Sequence, residues 1–334
     1  GLTRPPGRAN AGRQRMCVGT VALSSAMRLG MFHHGRGSKR KGSTTGFFTP
    51  CRQASTMVCM KAEAQWQPDR RVPYKQAGEV RLLLDVFSPQ VSGVLSHARP
   101  GIVFFHGGAW NGGAPSQFYP HCRYFASRGM VAVSAEYRLG KRHGTTPFEC
   151  VADAKSAMRW IRLHAEDLGI NPEMLAAGGG SAGGHLAAAT AMVPGFDDEH
   201  DDRSISPKPQ ALVLFNPVVD NGPNGFGHKR LKDRWREFSP MHNIREGAPP
   251  TIVFLGTEDV AIPVSMMRAF KQHMQAAGAR CDVWIYEGQR HGFFNCQDGA
   301  NRYCDATVYE ADRFLASLGY VNGAPELQKP LVEA

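Results

Sequence analysis

The sequence predicts an α/β protein with a mainly parallel central sheet and helices on both faces. Three observations carry this. Short apolar runs recur from about residue 80 onward, amphipathic stretches of 10–15 residues separate them, and glycine or proline bounds most of the runs. Strands alternating with helices of that length imply βαβ units and a sheet covered on both faces.

Val80 to Phe87 (VRLLLDVF) is the first predicted strand, ended by Ser88-Pro89. Gly101 to Phe105 (GIVFF), closed by Gly107 and Gly108, has the profile of a buried strand. Helix is expected over Gln117–Arg128, strand over Met130–Ala135, and helix over Cys150–His164. Met174 to Ala177 is a brief strand that passes through glycines into a helix beginning near Ser181. Strands follow at Ala211–Phe215, Thr251–Leu255 and Cys281–Tyr286, with helices over Val264–Ala277 and Ala306–Leu318. Two irregular segments, 194–209 and 221–250, interrupt the alternation and are expected to form a small lid. In sheets of this kind the active site lies at the carboxyl ends of the strands.

Composition narrows the class. With 42% hydrophobic residues in 334, a sizeable core is available, and no apolar run approaches the length of a membrane span. The net charge of +10 suggests a nucleic-acid partner until its distribution is considered. Residues 1–71 hold 13 Lys/Arg against two acids, Glu63 and Asp69, whereas the remainder holds 26 basic and 27 acidic residues. A nucleic-acid-binding fold carries its basic patch on the folded unit, so that class is excluded. Residues 1–70 are expected to be a basic leader, disordered or targeting, with the catalytic domain over 71–327 and a tail over 328–334. The leader is rich in Arg and Ser and poor in acids, the composition of an organelle transit peptide. Val18 to Met27 behind Arg13 and Arg15 is the alternative, a weak signal-peptide core; a cytoplasmic or secreted location stays open.

Chemistry concentrates in three places. Gly179-Gly180-Ser181-Ala182-Gly183 is a G-x-S-x-G sequence between a predicted strand and a predicted helix. Serine there sits on a strained turn with its hydroxyl exposed, and small neighbours avoid the flanking elements. His106-Gly107-Gly108-Ala109-Trp110 follows the strand GIVFF, where backbone N–H groups can meet a developing oxyanion. The expected donors are Gly107, Gly108 and Ala182. Asp259 and His291 each follow a later strand, and the order Ser, Asp, His is that of one hydrolase class. Glu258 and Asp220 are rivals for the acid. His106 is expected to brace the glycine loop and His185 to have no catalytic role.

The segments FFHGGAW, SRGMVAVSAEYRL, ECVADAKSAMRWIR, AAGGGSAGGHLAA, LGTEDVAIP and EGQRHGFFN resemble the HGG-type esterase/lipase branch of the α/β-hydrolase superfamily. The resemblance covers 71–327 and implies an α/β-hydrolase fold, a catalytic triad of Ser181, Asp259 and His291, and an oxyanion hole from Gly107, Gly108 and Ala182. It implies hydrolysis of short-chain, acetyl-like carboxylic esters, carbohydrate esters among them, through an acyl-enzyme and without a metal or organic cofactor. The partner is then a small-molecule ester. Ala109 departs from the third glycine of many members and puts activity on tertiary-alcohol esters in question. An arylformamidase or amidase of the same fold is the alternative chemistry, and a non-catalytic ligand-binding protein the alternative class.

Other features take plainer readings. Asp197 to Asp202 lacks the spacing of a calcium loop and is expected to be a solvated acidic loop. Lys229, Arg230, Lys232, Arg234 and Arg236 interleave with acids and suggest an exposed helix face. Trp110, Phe226, Trp235, Phe293 and Phe294 are divided between pocket lining and core. Of eight cysteines, Cys122 and Cys150 are expected to be buried. Cys296 and Cys304 are expected to be free thiols, with a pair as the alternative in an oxidising compartment.

Overall fold

The computed structural model describes residues 66–90, 98–296 and 301–332. Residues 1–65 of the expected leader, with its targeting reading and Cys17, Cys51 and Cys59, lie outside the described residues. Eight strands form one sheet: β1 (Arg70–Ala77), β2 (Val80–Phe87), β3 (Arg99–Phe105), β4 (Val131–Ala135), β5 (Ile170–Gly180), β6 (Ala211–Phe215), β7 (Thr251–Gly256) and β8 (Cys281–Tyr286). Their order is β1-β2-β4-β3-β5-β6-β7-β8. The pairs β1–β2 and β2–β4 are antiparallel and the rest parallel, so six strands end on the same rim.

Five longer helices cover the faces: α1 (Tyr119–Ser127), α2 (Pro147–Leu163), α3 (Ala182–Met192), α4 (Val264–Ala276) and α5 (Arg302–Ser317). Helix α2 starts where its sequence dictates. Pro147 occupies the first turn, and Thr146 and Glu149 form a reciprocal capping box. Helix α3 is nearly all Ala, Gly and Leu and is buried along its length, as a helix between a sheet and a second helix must be. One apolar cluster joins β3, β5, α2 and α3; a second, rich in Phe, packs α1 and α5 against the opposite face.

The sheet has one strand more than the apolar runs announce. Strand β1 is polar and interrupted by Pro73, where its register against β2 shifts. Residues 66–70 belong to the fold rather than to the leader: Asp69 accepts from the Ser88 N–H (2.7 Å) and pairs with Arg123 (3.2 Å).

The two irregular segments differ in nature. Residues 194–209 contain no helix or strand, and their acidic run is not simply solvated. Asp197 and Asp201 pair with the buried Arg159 of α2 at 2.6 and 2.9 Å, and Asp198 pairs with Lys75 at 2.6 Å. This corrects the solvated reading: the carboxylates neutralise cations that α2 and β1 present, pinning the segment there. The 221–250 segment holds short helices at His228–Leu231 and Trp235–Phe238 and buries Leu231, Phe238 and Met241 in the core.

Cys296 and Cys304 form a disulfide, which corrects the free-thiol expectation; their Cα atoms are 5.3 Å apart. The turn after His291 and the first turn of α5 bring them together, a proximity that eight residues of sequence separation do not reveal. Cys122 and Cys150 are buried and free.

Candidate active site

The site lies on the rim where the parallel strands end. Ser181 follows β5 and precedes α3 with φ 54° and ψ −117°, a left-handed conformation that a side chain adopts only under constraint. The constraint is close packing. A Cβ on Gly183 would stand 1.9 Å from the Phe105 carbonyl oxygen, and one on Gly179 would stand 2.5 Å from Gly183. The Ser181 N–H is held by Phe215 O (2.9 Å) and its carbonyl by Val218 N–H (3.1 Å). The turn is thereby fixed and the hydroxyl faces outward. The positive end of α3 lies directly behind it.

His291 follows β8, and its Nε2 lies 2.9 Å from Ser181 Oγ. Its Nδ1 lies 2.7 Å from Asp259 Oδ2. The other Asp259 oxygen accepts from the N–H groups of Ala261 and Ile262, both at 2.9 Å. That carboxylate is buried while the imidazole is partly open to solvent. Because a carboxylate only accepts, His291 carries its proton on Nδ1 and presents a basic Nε2 to the serine. The rivals point elsewhere. Glu258 is exposed and pairs with Arg290 (3.2 Å), and Asp220 bonds to the Gly222 N–H (2.7 Å).

The glycine loop is tightly folded. Ala109 and Trp110 have φ of 55° and 59°, and a Cβ on Gly108 would meet Gly112 O at 2.1 Å. One sequence expectation is corrected here. The Gly107 N–H already donates to Gln117 Oε1 at 2.6 Å, so it is not available to an oxyanion. The N–H groups of Gly108 and Ala109 donate to no acceptor among the described residues. Ala182, first residue of α3, has no acceptor within its helix.

Buried neutral histidines support the loop. His106 Nδ1 donates to Gly107 O (2.7 Å), Tyr137 stacks on the ring at 4.3 Å, and burial lowers its pKa to about 4. His185 in α3 donates through Nε2 to Phe238 O (3.1 Å), and burial lowers its pKa to about 3. Trp110 and Phe294 are core residues, whereas Phe226, Trp235 and Phe293 are half-buried. Arg230 departs from the exposed-face expectation. Its Nη1 donates to Ala109 O (2.8 Å) and its guanidinium lies 5.1 Å from the Trp110 ring.

Three residues at the site escape sequence reasoning, Gln117, Asn216 and Asn295, and Arg230 is visible in sequence only as one charge of an exposed face. Asn216, at φ 34°, accepts the Gly292 N–H at 3.0 Å and so fixes the turn carrying His291. Gln117 and Asn216 lie in no spacing motif; what the three share is an amide side chain next to a phenylalanine. Among the described residues, His121, Cys296 and Cys304 are close enough together to ligate a metal, but the two sulfurs are bonded to each other.

An elbow serine bonded to a carboxylate-held histidine, on the rim of an eight-stranded sheet, defines the α/β-hydrolase class. Comparison with known proteins agrees. The BD-FAE family model matches residues 84–227, and that of the dienelactone hydrolase family matches 236–326. Esterase 2 of Thermogutta terrifontis, solved in a phosphoramylated form, is 44% identical with a TM-score of 0.73, over 76% of this chain and 96% of that one. Esterase LipC of Mycobacterium tuberculosis is 29% identical over 60% of this chain and 54% of its own length. The probable carboxylic ester hydrolase LipM of the same organism is 26% identical over 80% and 65%. The chain thus spans between about half and two-thirds of the length of these curated relatives. It belongs to the esterase/lipase family of α/β-hydrolases.

Proposed function

We propose that this protein is a serine carboxylic-ester hydrolase for short-chain acyl groups, working through an acyl-enzyme. The observation that carries the reading is the continuous hydrogen-bonded line from Ser181 through His291 to Asp259. Ser181 Oγ attacks the ester carbonyl carbon as His291 Nε2 takes its proton, and Asp259 stabilises the imidazolium while holding its orientation. The oxyanion that forms is met by the N–H groups of Gly108, Ala109 and Ala182. Collapse expels the alcohol, which receives the proton from His291. Water, deprotonated by the same nitrogen, then attacks the acyl carbon, the bond to Ser181 Oγ breaks to release the carboxylic acid, and His291 returns the proton to Ser181 Oγ. Apart from the attacking water, each step uses groups the chain supplies, so the reading calls on no cofactor.

The preference for short acyl groups is supported by the loop and by a relative. In this reading the methyl of Ala109, which a glycine would lack, narrows the acyl pocket. The Thermogutta esterase has been solved with propionate and with butyrate bound. The test is hydrolysis of p-nitrophenyl acetate, butyrate and octanoate, and of an acetylated sugar, by the full chain. The expected result is turnover of acetate and butyrate esters that disappears in Ser181→Ala, with octanoate the poorest of the three. Undiminished turnover in Ser181→Ala would overturn the nucleophile, and octanoate as the best substrate would overturn the acyl class.

A further inference from the structure

The oxyanion loop and the histidine loop are far apart in sequence but are joined by a chain of two side-chain amides. Gln117 Oε1 accepts the Gly107 N–H (2.6 Å), and Gln117 Nε2 donates to Asn295 Oδ1 (2.8 Å). Asn295 Nδ2 in turn donates to the carbonyl of Gly292, the residue after His291 (2.7 Å). The direction of this chain is fixed at both ends. A backbone N–H can only donate and a backbone carbonyl can only accept, so each amide has one orientation that satisfies its neighbours.

Both amides stand on rigid supports. Gln117 lies in a single 3-10 turn, Pro115–Phe118, whose buried Phe118 stacks on Phe104 with centroids 4.9 Å apart. Asn295 lies between buried Phe294, which packs on Phe215 at 4.8 Å, and Cys296 of the disulfide. Asn301, the N-cap of α5, donates to the carbonyls of Phe293 (3.0 Å) and Asn295 (2.6 Å), so the whole turn is held from outside.

We infer that Gln117 and Asn295 are positioning residues that fix the oxyanion donors relative to the His291 ring. The inference rests on the proposed hydrolase reading. Occupying the Gly107 N–H sets the plane of the 106–107 peptide, from which the strained Gly108–Ala109 backbone extends. Holding Gly292 O sets the turn that aims His291. Because one amide bonds directly to the other, the two settings are not independent. Neither side chain touches the reacting atoms by this account, so their loss shows as misalignment rather than as loss of a catalytic group.

The experiment uses the full chain with Gln117→Met and Asn295→Leu, which roughly keep volume while removing the bonds, and the double variant. Gln117→Glu is added because it keeps an acceptor for Gly107 but loses the donor toward Asn295. Wild type and Ser181→Ala are assayed first on p-nitrophenyl butyrate, so that failure of the hydrolase reading registers separately; an inactive wild type overturns both. For each variant kcat, KM and the rate of inactivation by paraoxon are measured on protein whose folded fraction is checked by its melting curve. Misplacement of catalytic donors by fractions of an ångström predicts a fall in kcat of about 10- to 100-fold, with KM within about threefold of wild type. Paraoxon inactivation should fall in parallel, because its phosphoryl oxygen needs the same donors. The double variant should lose no more than the worse single one, and Gln117→Glu should resemble Asn295→Leu. A lowered melting temperature with unchanged kcat, multiplicative losses in the double variant, or full activity in Gln117→Glu would each overturn the inference.

Discussion

Asp259→Asn is the substitution for which this site makes its sharpest prediction. The wild-type carboxylate makes three hydrogen bonds, one to His291 Nδ1 (2.7 Å) and two to the N–H groups of Ala261 and Ile262 (2.9 Å each). An asparagine has one oxygen, and two backbone donors require it. The amide NH2 is then forced toward His291, where it can only donate. Nδ1 must accept, the imidazole proton moves to Nε2, and the ring presents a donor to Ser181 where catalysis needs a base. Size and packing are unchanged, so the fold is retained. A wrong tautomer with intact geometry lowers kcat by about 10⁴-fold, equivalent to about 5.4 kcal/mol in activation free energy. The assay is steady-state and single-turnover hydrolysis of p-nitrophenyl butyrate at pH 7.5, with a melting curve as control. A variant within tenfold of wild-type kcat would show that Asp259 does not set the tautomer. The acid would then have to be sought elsewhere, with Glu258 first in line.

Two further outcomes follow from burial and covalent connection. Burial lowers the pKa of His106 to about 4 and of His121 and His185 to about 3, against 6.5 in the unfolded chain. All three are neutral in the fold, so their contribution to stability is full above about pH 6.5 and is lost as pH falls toward 4 and 3. With each group contributing about 1.4 kcal/mol per pH unit in that window, stability should drop by up to about 4 kcal/mol per unit. Calorimetry between pH 7 and 5 measures the slope; His121→Phe, in its cage of Phe104, Phe118 and Phe215, should remove about a third of it, and an unchanged slope would refute the assignment. Opening the Cys296–Cys304 bond, which closes a loop of sequence separation 8, releases chain entropy worth about 2–3 kcal/mol in the unfolded state. Denaturation of Cys296→Ser/Cys304→Ser against wild type checks this, and a loss of unfolding free energy under about 0.5 kcal/mol would count against it.

Much of the fold was legible because each of these strands carries an apolar run bounded by turn residues. Ala211–Phe215, parallel to both neighbours and buried throughout, has the bounds its run announces. So do the antiparallel Val80–Phe87 and the edge strand Cys281–Tyr286, which are only partly covered. Strand β1 was not legible, for the converse reason. As an antiparallel edge it needs one partner and one partly covered face, so Arg70, Arg71, Pro73 and Lys75 are tolerated and no period survives. The pairing of Asp197, Asp198 and Asp201 with Arg159 and Lys75 was hidden similarly. Charge on a loop is visible in sequence, but the buried cation that meets it belongs to another element.

At the site, spacing revealed what the covalent chain determines and missed what a distant side chain decides. Ser181 had to stand between Gly179 and Gly183 because no larger residue fits against the Phe105 carbonyl. Which N–H groups of the HGG loop remain free is settled instead by Gln117, ten residues on, which claims that of Gly107. The available donors thereby shift one residue along the loop, onto Gly108 and Ala109. This gives the departure at Ala109 a different meaning from a simple narrowing of the pocket. A residue with a Cβ is held at φ 55° where glycine would rest without strain, at a cost of about 1–2 kcal/mol. Its carbonyl is bonded to Arg230 and the next residue's to the Gly140 N–H (2.9 Å), while the Gly107 N–H is bonded to Gln117. Flanked by these contacts, the strained backbone keeps its Gly108 and Ala109 N–H groups turned away from internal acceptors, which is the condition for stabilising an oxyanion that exists only in passing.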